Sequence, residues 1–350
     1  MVQTCLVTGG AGFIGSAISG KLFSMFKRVV VIDSLHPQIH PQSVRPPDLD
    51  SRVELFVADV TRADTWDRVL PNVHPDVIIH LAAETGTGQS LTEGSRHAEV
   101  NVVGTTRMLD ALVRHESMPK RIVLTSSRAV YGEGAWKDLK TGEVSYPGQR
   151  TKDQLEHKEW DFKGLKCLPF DAEITEPRPT SVYGVTKLAQ EYILKAWANS
   201  FGVPTAILRL QNVYGPGQAV SNPYTGIVTL FAQLARANLS IPVYEDGLIF
   251  RDFVYIEDVA HVVCRACDSA HSSLLCDVGL GKSISIYDLA HIIAGIYGAP
   301  APQINGAYRN GDVRHASCRV ERARSALDWT ANWSVEHGVR ELCRWIDSRA

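Results

Sequence analysis

Short runs of aliphatic and β-branched residues alternate along the chain with stretches whose apolar positions recur every three or four residues. TCLVTG (4–9), RVVVID (28–33), RVELFVAD (52–59), DVIIHLAA (76–83), RIVLTSS (121–127) and TAILRL (205–210) are nearly continuous hydrophobic runs, the pattern of strands buried on both faces. FIGSAISGKLFSMF (13–26), residues 97–115 and SVYGVTKLAQEYILKAWANSF (181–201) carry the helical period instead. Strands alternating with helices predict an α/β fold with a doubly wound parallel sheet. Helical periods near residues 227–238, 286–297 and 335–347, with short strands between, predict a smaller C-terminal α/β lobe.

Two insertions break the rhythm. Residues 34–50 carry four prolines and read as a loop. Residues 133–179 are too long for a simple strand-to-helix connection, and Trp136, Tyr146, Trp160 and Phe170 could anchor a small subdomain there. A lid over the substrate and a packed surface excursion both fit that segment. GPGQAVSNPYTG (215–226) reads as a hinge. The expected division is a first lobe over 1–214, with the 133–179 insertion and returns near 250–278, and a second over 215–350.

Composition narrows the functional classes. The formal charge is −2 with no basic run, so a nucleic-acid or anionic-membrane surface has no support. No apolar run reaches the roughly 18 residues of a membrane span, and the first one meets Gly9 and Gly10 too soon for a signal peptide. Seven scattered cysteines point to a reducing, cytoplasmic setting. Cys264 and Cys267 form a CxxC, but no second ligand pair accompanies it. They read as core thiols on an amphipathic helix, and no metal is expected.

TGGAGFIG (8–15) follows the first strand and opens the first helix, with Gly9, Gly12 and Gly15 at a Gly-x2-Gly-x2-Gly spacing. Such glycines allow a tight turn, close approach of a pyrophosphate and close helix packing, with the helix N-terminus facing the phosphates. The sheet is therefore expected to be Rossmann-type. Asp33, ending the second strand, is placed to accept the adenosine ribose hydroxyls, and it favours NAD over NADP because it would repel a 2′-phosphate. Asp59, ending the third strand, is placed to reach the adenine amino group. Tyr183 and Lys187 lie four residues apart, on one helix face. A neighbouring ammonium and an oxidised nicotinamide would stabilise the phenolate, and lowering a tyrosine by roughly 3 pH units takes about 4 kcal/mol.

Together with HLAAETG (80–86), NVVGT (101–105), TSSRAVYG (125–132), LRLQNVYGPG (208–217) and RDFVYIEDV (251–259), these motifs resemble the extended short-chain dehydrogenase/reductases, in their nucleotide-sugar epimerase/dehydratase branch. The resemblance implies Tyr183 as general base, Lys187 as its helper and ribose contact, and Ser127 as hydrogen-bond partner of the reacting oxygen. It implies a cofactor site of Gly9, Gly12, Phe13, Ile14, Gly15, Asp33, Asp59, Val60, Leu81, Ala82, Ala83, Asn101, Tyr183 and Lys187. A substrate site of Thr85, Ser127, Asn212, Thr225, Tyr244, Arg251 and Arg314 follows, the two arginines clamping the diphosphate. Dehydratases of the branch carry an Asp–Glu pair after the Ser/Thr, whereas this chain has Arg128 and Ala129. Glu84 and Glu133 are the remaining candidates for a displaced acid.

The implied reaction is NAD-dependent 4-epimerisation: oxidation at C4 to a 4-keto sugar and return of hydride to the other face. The implied substrate is a dTDP-6-deoxyhexose such as dTDP-L-rhamnose or dTDP-6-deoxy-L-talose. UDP-glucose or UDP-N-acetylglucosamine 4-epimerisation and NAD(P)-dependent 4-ketosugar reduction stay open beside it. A homodimer through the helices near 97–115 and 181–200 is also implied.

Overall fold

The computed structural model describes residues 4–219 and 226–349. Its centre is a parallel sheet of seven strands: β1 (Thr4–Thr8), β2 (Arg28–Asp33), β3 (Glu54–Val57), β4 (Val77–His80), β5 (Arg121–Ser127), and two more after the insertion. The insertion supplies β6 (Trp136–Asp138), β7 (Val144–Ser145) and β8 (Leu165–Cys167), an antiparallel three-stranded sheet of its own. Then follow β9 (Thr205–Leu210), β10 (Asn212–Tyr214), β11 (Pro242–Val243), β12 (Phe250–Tyr255) and β13 (Ser273–Val278). The central order is β13-β9-β5-β4-β1-β2-β3. The chain leaves β1 toward one edge and returns through β4 on its other side. Between β1 and β4 lies the switch point, where such sheets open a crevice beyond the strand ends.

Alternation along each strand feeds two cores. Cys5, Val7, Val29, Val31, Ile79, Val123 and Leu208 meet the helices α1 (Phe13–Leu22) and, later in the chain, residues 256–267 on one face. Leu6, Val30, Ile32, Ile78, Ile122, Leu124 and Ile207 meet α2 (Ala63–Val73) and the helical run from Gly94 to Arg114 on the other. That run differs from the helix expected at 97–115. It begins three residues earlier as α3 (Gly94–Ala98), passes through a π-helical turn at Glu99–Val103, and resumes as α4 (Gly104–Arg114). Such turns insert a residue into the helix and often mark functional sites; here the turn carries Asn101 inward.

The insertion also contains α5 (Lys152–Glu156), and α6 (Val182–Phe201) follows it, capped by the Ser181 hydroxyl on the Gly184 amide and ended by Gly202 in the left-handed region. In the insertion Trp136 and Phe170 are buried, while Tyr146 and Trp160 are half-buried. A third apolar cluster gathers α7 (Ile227–Arg236), β12, α8 (Ile256–Cys267), α9 (Ile286–Tyr297) and, beyond a short α10 (Glu321–Leu327), α11 (Val335–Ser348). Cys264 and Cys267 lie on α8 as unpaired thiols; burial pushes Cys264 up to about 11 and Cys267 higher still. No helix among the described residues is long and apolar enough to cross a membrane.

Candidate active site

A cleft of about 710 Å³ opens at the switch point. Its floor is the turn after β1. Gly9 has φ of +66°, and a Cβ there would sit 2.6 Å from the Ala82 amide nitrogen. A Cβ on Gly15 would sit 2.4 Å from Gly10. Backbone strands thus approach too closely for side chains, which leaves a smooth cradle. The N-terminus of α1 has no side-chain cap, so its first amides remain available to an anionic ligand. Asp33 stands at the cradle's edge, with one carboxylate oxygen accepting from the Ala11 amide (3.0 Å) and the other from Leu35 (2.9 Å). Each oxygen keeps a lone pair for a diol. Asp59 accepts from the Thr61 amide at 2.8 Å. The donor set therefore fits a dinucleotide.

The cleft is lined by Gly9, Gly12, Phe13, Ile14, Gly15, Asp33, Asp59, Val60, Leu81, Ala82, Ala83, Thr85, Ser127, Tyr183 and Lys187, all named from sequence. Asn101 is a correction. It is fully buried, accepts from the Glu84 amide (2.8 Å), and donates to the Glu84 carbonyl (3.0 Å) and the Thr186 hydroxyl (2.9 Å). With its amide so engaged it pins the 81–86 loop to α6 rather than facing the cleft.

Burial lifts the Tyr183 phenol above its ordinary value, against the pull of the neighbouring Ser127 hydroxyl and of the Arg128 charge. Here the structure departs from expectation. The Lys187 side chain makes its hydrogen bond elsewhere on α6. The Lys187 ammonium donates to Gln190 Oε1, and burial pushes it down to about 7, opposed by Glu191. Gln190 Nε2 donates to Thr105 Oγ1 (2.8 Å), and that hydroxyl donates to the Asn101 carbonyl (2.7 Å). Having spent its proton, Thr105 Oγ1 can only accept from His80 Nε2, at 2.9 Å. Burial holds His80 neutral, at about 3, so its Nδ1 accepts from Thr8 Oγ1 at 2.6 Å. Thr8 in turn accepts from the Ala82 amide at 3.3 Å. One buried chain of hydrogen bonds, its directions set throughout, runs between two residues of the cleft wall.

The remaining substrate candidates lie beyond this wall. Asn212 accepts from Arg128 Nε at 2.8 Å. Arg251 is buried and pairs with Asp312 at 2.6 Å. Arg314 is a second correction. It is only 1% exposed, and its guanidinium is engaged by Asp161, Asp246 and Glu245. A cation so neutralised ties the insertion to the second lobe and offers no free donor fork. The next arginine upstream, Arg309, is exposed and lies over the half-buried Tyr244 ring at 5.3 Å. Thr225 lies outside the described residues. Of the displaced-acid candidates, Glu84 pairs with Arg96 (2.6 Å). Glu133 accepts from the Arg314 amide beside Arg150, and burial pushes it up to about 7.

Sequence reasoning missed several lining residues: His36, Pro37, Gln38, Ile39 and His40 of the proline-rich loop, and Arg96, Glu99 and Gln211. The loop's position was a usable signal, since it leaves the carboxyl end of β2 directly after Asp33.

Comparison with known proteins agrees with this geometry. Residues 5–152 and 163–275 match the model of the NAD dependent epimerase/dehydratase family. The chain is 58% identical to a dTDP-L-rhamnose 4-epimerase of Burkholderia thailandensis, over 97% of this chain and 94% of that one. It is 28% identical to a UDP-glucose 4-epimerase of Mycolicibacterium smegmatis, over 99% of each. Among solved structures, the UDP-glucose 4-epimerase of Thermotoga maritima with UDP-glucose superposes with a TM-score of 0.82 at 25% identity, covering 99% of both chains. The Thermus thermophilus UDP-glucose 4-epimerase complex with NAD gives 0.78 at 25% identity, covering 99% of this chain and all of that one. With its glycine cradle, its Asp33 and its Ser127 and Tyr183 at one switch-point cleft, the chain belongs to the NAD dependent epimerase/dehydratase family.

Proposed function

We propose that this protein is an NAD-dependent nucleotide-sugar 4-epimerase acting on dTDP-L-rhamnose and dTDP-6-deoxy-L-talose. The observation that carries the reading is that Ser127 and Tyr183 line the same cleft as the glycine cradle, with Arg128 and Ala129 rather than acids following Ser127. The similarity to the Burkholderia thailandensis enzyme supports the choice of substrate.

Bound NAD would supply a reversible two-electron acceptor. The α1 amides and the Gly9–Gly15 turn would hold its pyrophosphate, Asp33 its adenosine ribose and Lys187 its nicotinamide ribose. The Tyr183 oxygen takes the proton of the sugar C4 hydroxyl, and Ser127 steadies that oxygen by a hydrogen bond. When the sugar has turned over, Tyr183 returns its proton to the C4 oxygen, so the enzyme ends each cycle unchanged. Dehydration needs a further acid and base beside the sugar. Arg128 and Ala129 supply neither, and Glu84 and Glu133 are bound to arginines.

The same reading takes residues 1–214, with the 133–179 insertion and the return near 250–278, as the NAD lobe and the remainder of 215–350 as the substrate lobe. It makes the enzyme cytoplasmic, in keeping with its free thiols, and a homodimer. Val182, Val185 and Tyr192 leave an exposed apolar stripe on α6, which a second copy would cover; a monomer by sedimentation would overturn that part.

The decisive experiment incubates the purified protein, without added reductant, with dTDP-, UDP- and GDP-sugars and resolves the products by NMR. Inversion at C4 of dTDP-L-rhamnose without net redox is expected, whereas loss of water or a demand for reduced cofactor would refute the reading. Tyr183→Phe should abolish turnover while NAD still binds; substantial residual turnover would remove Tyr183 as the base.

A further inference from the structure

The proline-rich segment between β2 and β3 has no helix or strand of its own, and irregular loops of that length usually carry function. Its two ends are fixed in the core. Leu35 and Leu49 are buried in the apolar cluster that holds α1. The Leu35 amide bonds to Asp33 (2.9 Å) and the Asp50 amide to the Ser19 hydroxyl of α1 (3.1 Å), while Arg349 ties down Asp48 at 2.7 Å. Between these roots the chain forms a turn at residues 36–40, the Ile39 and His40 amides each donating to the His36 carbonyl at 2.9 Å. His36 Nδ1 accepts from the Gln38 amide at 3.3 Å. The turn lines the dinucleotide cleft on one side, and Glu84, Thr85 and Arg96 line it on another.

Gln38 crosses to that second side. Its Nε2 donates to Gln89 Oε1 (3.1 Å) and its Oε1 accepts from Gln89 Nε2 (3.2 Å), a reciprocal amide pair between residues 51 apart in the chain. Charged neighbours set which way each amide faces. Arg96 Nη2 lies 2.9 Å from Gln38 Oε1, and a Glu93 carboxylate oxygen lies 3.0 Å from Gln89 Nε2. A guanidinium only donates and a carboxylate only accepts. Flipping either amide would set donor against donor or acceptor against acceptor, so the pair has one arrangement.

The far side is itself braced. Arg96 forks onto Glu84 (2.6 Å) and Glu93 (2.7 Å). The Glu84 backbone is bonded to Asn101, and Asn101 to Thr186 on α6, the helix of Tyr183. Gln89 is buried and Gln38 half-buried. The loop also borders a second cavity of about 280 Å³, lined by His40, Pro41, Gln42 and Val44 together with Phe13 and Arg349, so one face of it has room to move. The crossing is made by neutral hydrogen bonds rather than an ion pair, and such bonds contribute modestly because water can replace them. They can part and re-form while the roots stay fixed.

We propose that Gln38 and Gln89 are cofactor-retaining residues: their amide pair fastens the 34–50 loop as a strap across the cleft, and bound NAD leaves when that pair parts. The inference rests on the cleft being the NAD site and deepens that reading. Sugars are exchanged at every turnover, while the cofactor, restored at the end of each cycle, stays under its strap.

The test follows cofactor exchange rather than turnover. Protein loaded with radiolabelled NAD is chased with excess unlabelled NAD, and loss of label is timed by rapid filtration. At the usual net contribution of a hydrogen bond, the two bonds of the pair slow release by a factor of about 5 to 150. Q38M and Q89M, which keep the volume, should each exchange at least about fivefold faster than the wild type. The double variant should be no faster than the faster single one, because either change already breaks both bonds. Q38E keeps the bonds from Arg96 and Gln89 Nε2 and should exchange more slowly than Q38M. Wild-type exchange in both single variants would overturn the proposal, as would single effects that multiply in the double variant or Q38E matching Q38M. Should Q89M fold poorly by circular dichroism, Q38M against Q38E carries the comparison. Unchanged NAD affinity in Asp33→Ala would instead defeat the NAD reading of the cleft, an outcome distinct from any result at Gln38.

Discussion

The buried chain linking Ala82 to Lys187 makes a sharp prediction for Gln190→Met, which keeps the volume and removes both hydrogen bonds. Gln190 is fully buried and its Oε1 is the acceptor for the Lys187 ammonium. A hydrogen bond to a charged group contributes about 1.5 to 3 kcal/mol. Only the protonated lysine makes this bond as a charged donor, so its loss lowers the Lys187 pKa. At about 1.4 kcal/mol per pH unit the fall is roughly 1 to 2 units, from a starting value already pushed down to about 7 by burial. In the unfolded chain the lysine stays protonated up to about 10.4. The folded-state value is therefore depressed, and stability is lost as pH falls toward it. In the wild type that loss stops near 7, where the folded lysine also takes its proton. In the variant it continues for a further 1 to 2 units, roughly. Above pH 8 the two proteins should differ little through Lys187. Near pH 5 the variant should be about 1.5 to 3 kcal/mol less stable, read from urea midpoints across the pH range. A deficit of the same size at every pH would refute the reasoning, since it would locate the cost in packing rather than in the ammonium.

Gly9→Ala places a methyl 2.6 Å from the Ala82 amide at a φ of +66°; strain of about 1 to 3 kcal/mol should weaken NAD binding strongly. Gly12→Ala, whose Cβ meets nothing nearer than 3.3 Å, should weaken it less, and equal losses in titration calorimetry would contradict the cradle. Asp277 is buried, accepts from Tyr131 at 3.0 Å and is pushed up to about 7 by burial. Its folded value lies above the unfolded one, so its contribution is lost as pH rises from about 4 through 7. Asp277→Asn should therefore gain on the wild type over that window in urea melts, and a constant difference would refute it. Glu191→Gln leaves Arg209 buried without its counter-ion. A thermal melt should show a loss of about 3 to 5 kcal/mol, and a loss under 1 kcal/mol, roughly a surface ion pair's worth, would count against it.

Much of this molecule is legible in its sequence. The alternation of aliphatic runs and helical periods determines the strands and helices, because a strand buried on both faces admits few polar residues and a covering helix must be apolar on one side. The turn at residues 8–15 announces its cradle because only glycine tolerates such close backbone approach, and Tyr183 and Lys187 share a helix face by spacing alone. The partners of those side chains were another matter. Whether an arginine is free or neutralised depends on carboxylates more than 60 residues away, as Arg314 depends on Asp246 and Asp161. Asn101 turned inward because a π-helical turn shifted its register, and Lys187 turned to Gln190 because burial left it that acceptor. Local periodicity carries information about which face a residue occupies. Hydrogen-bond direction and charge pairing between elements distant in the chain are settled only when packing excludes water and each buried polar group must find its partner.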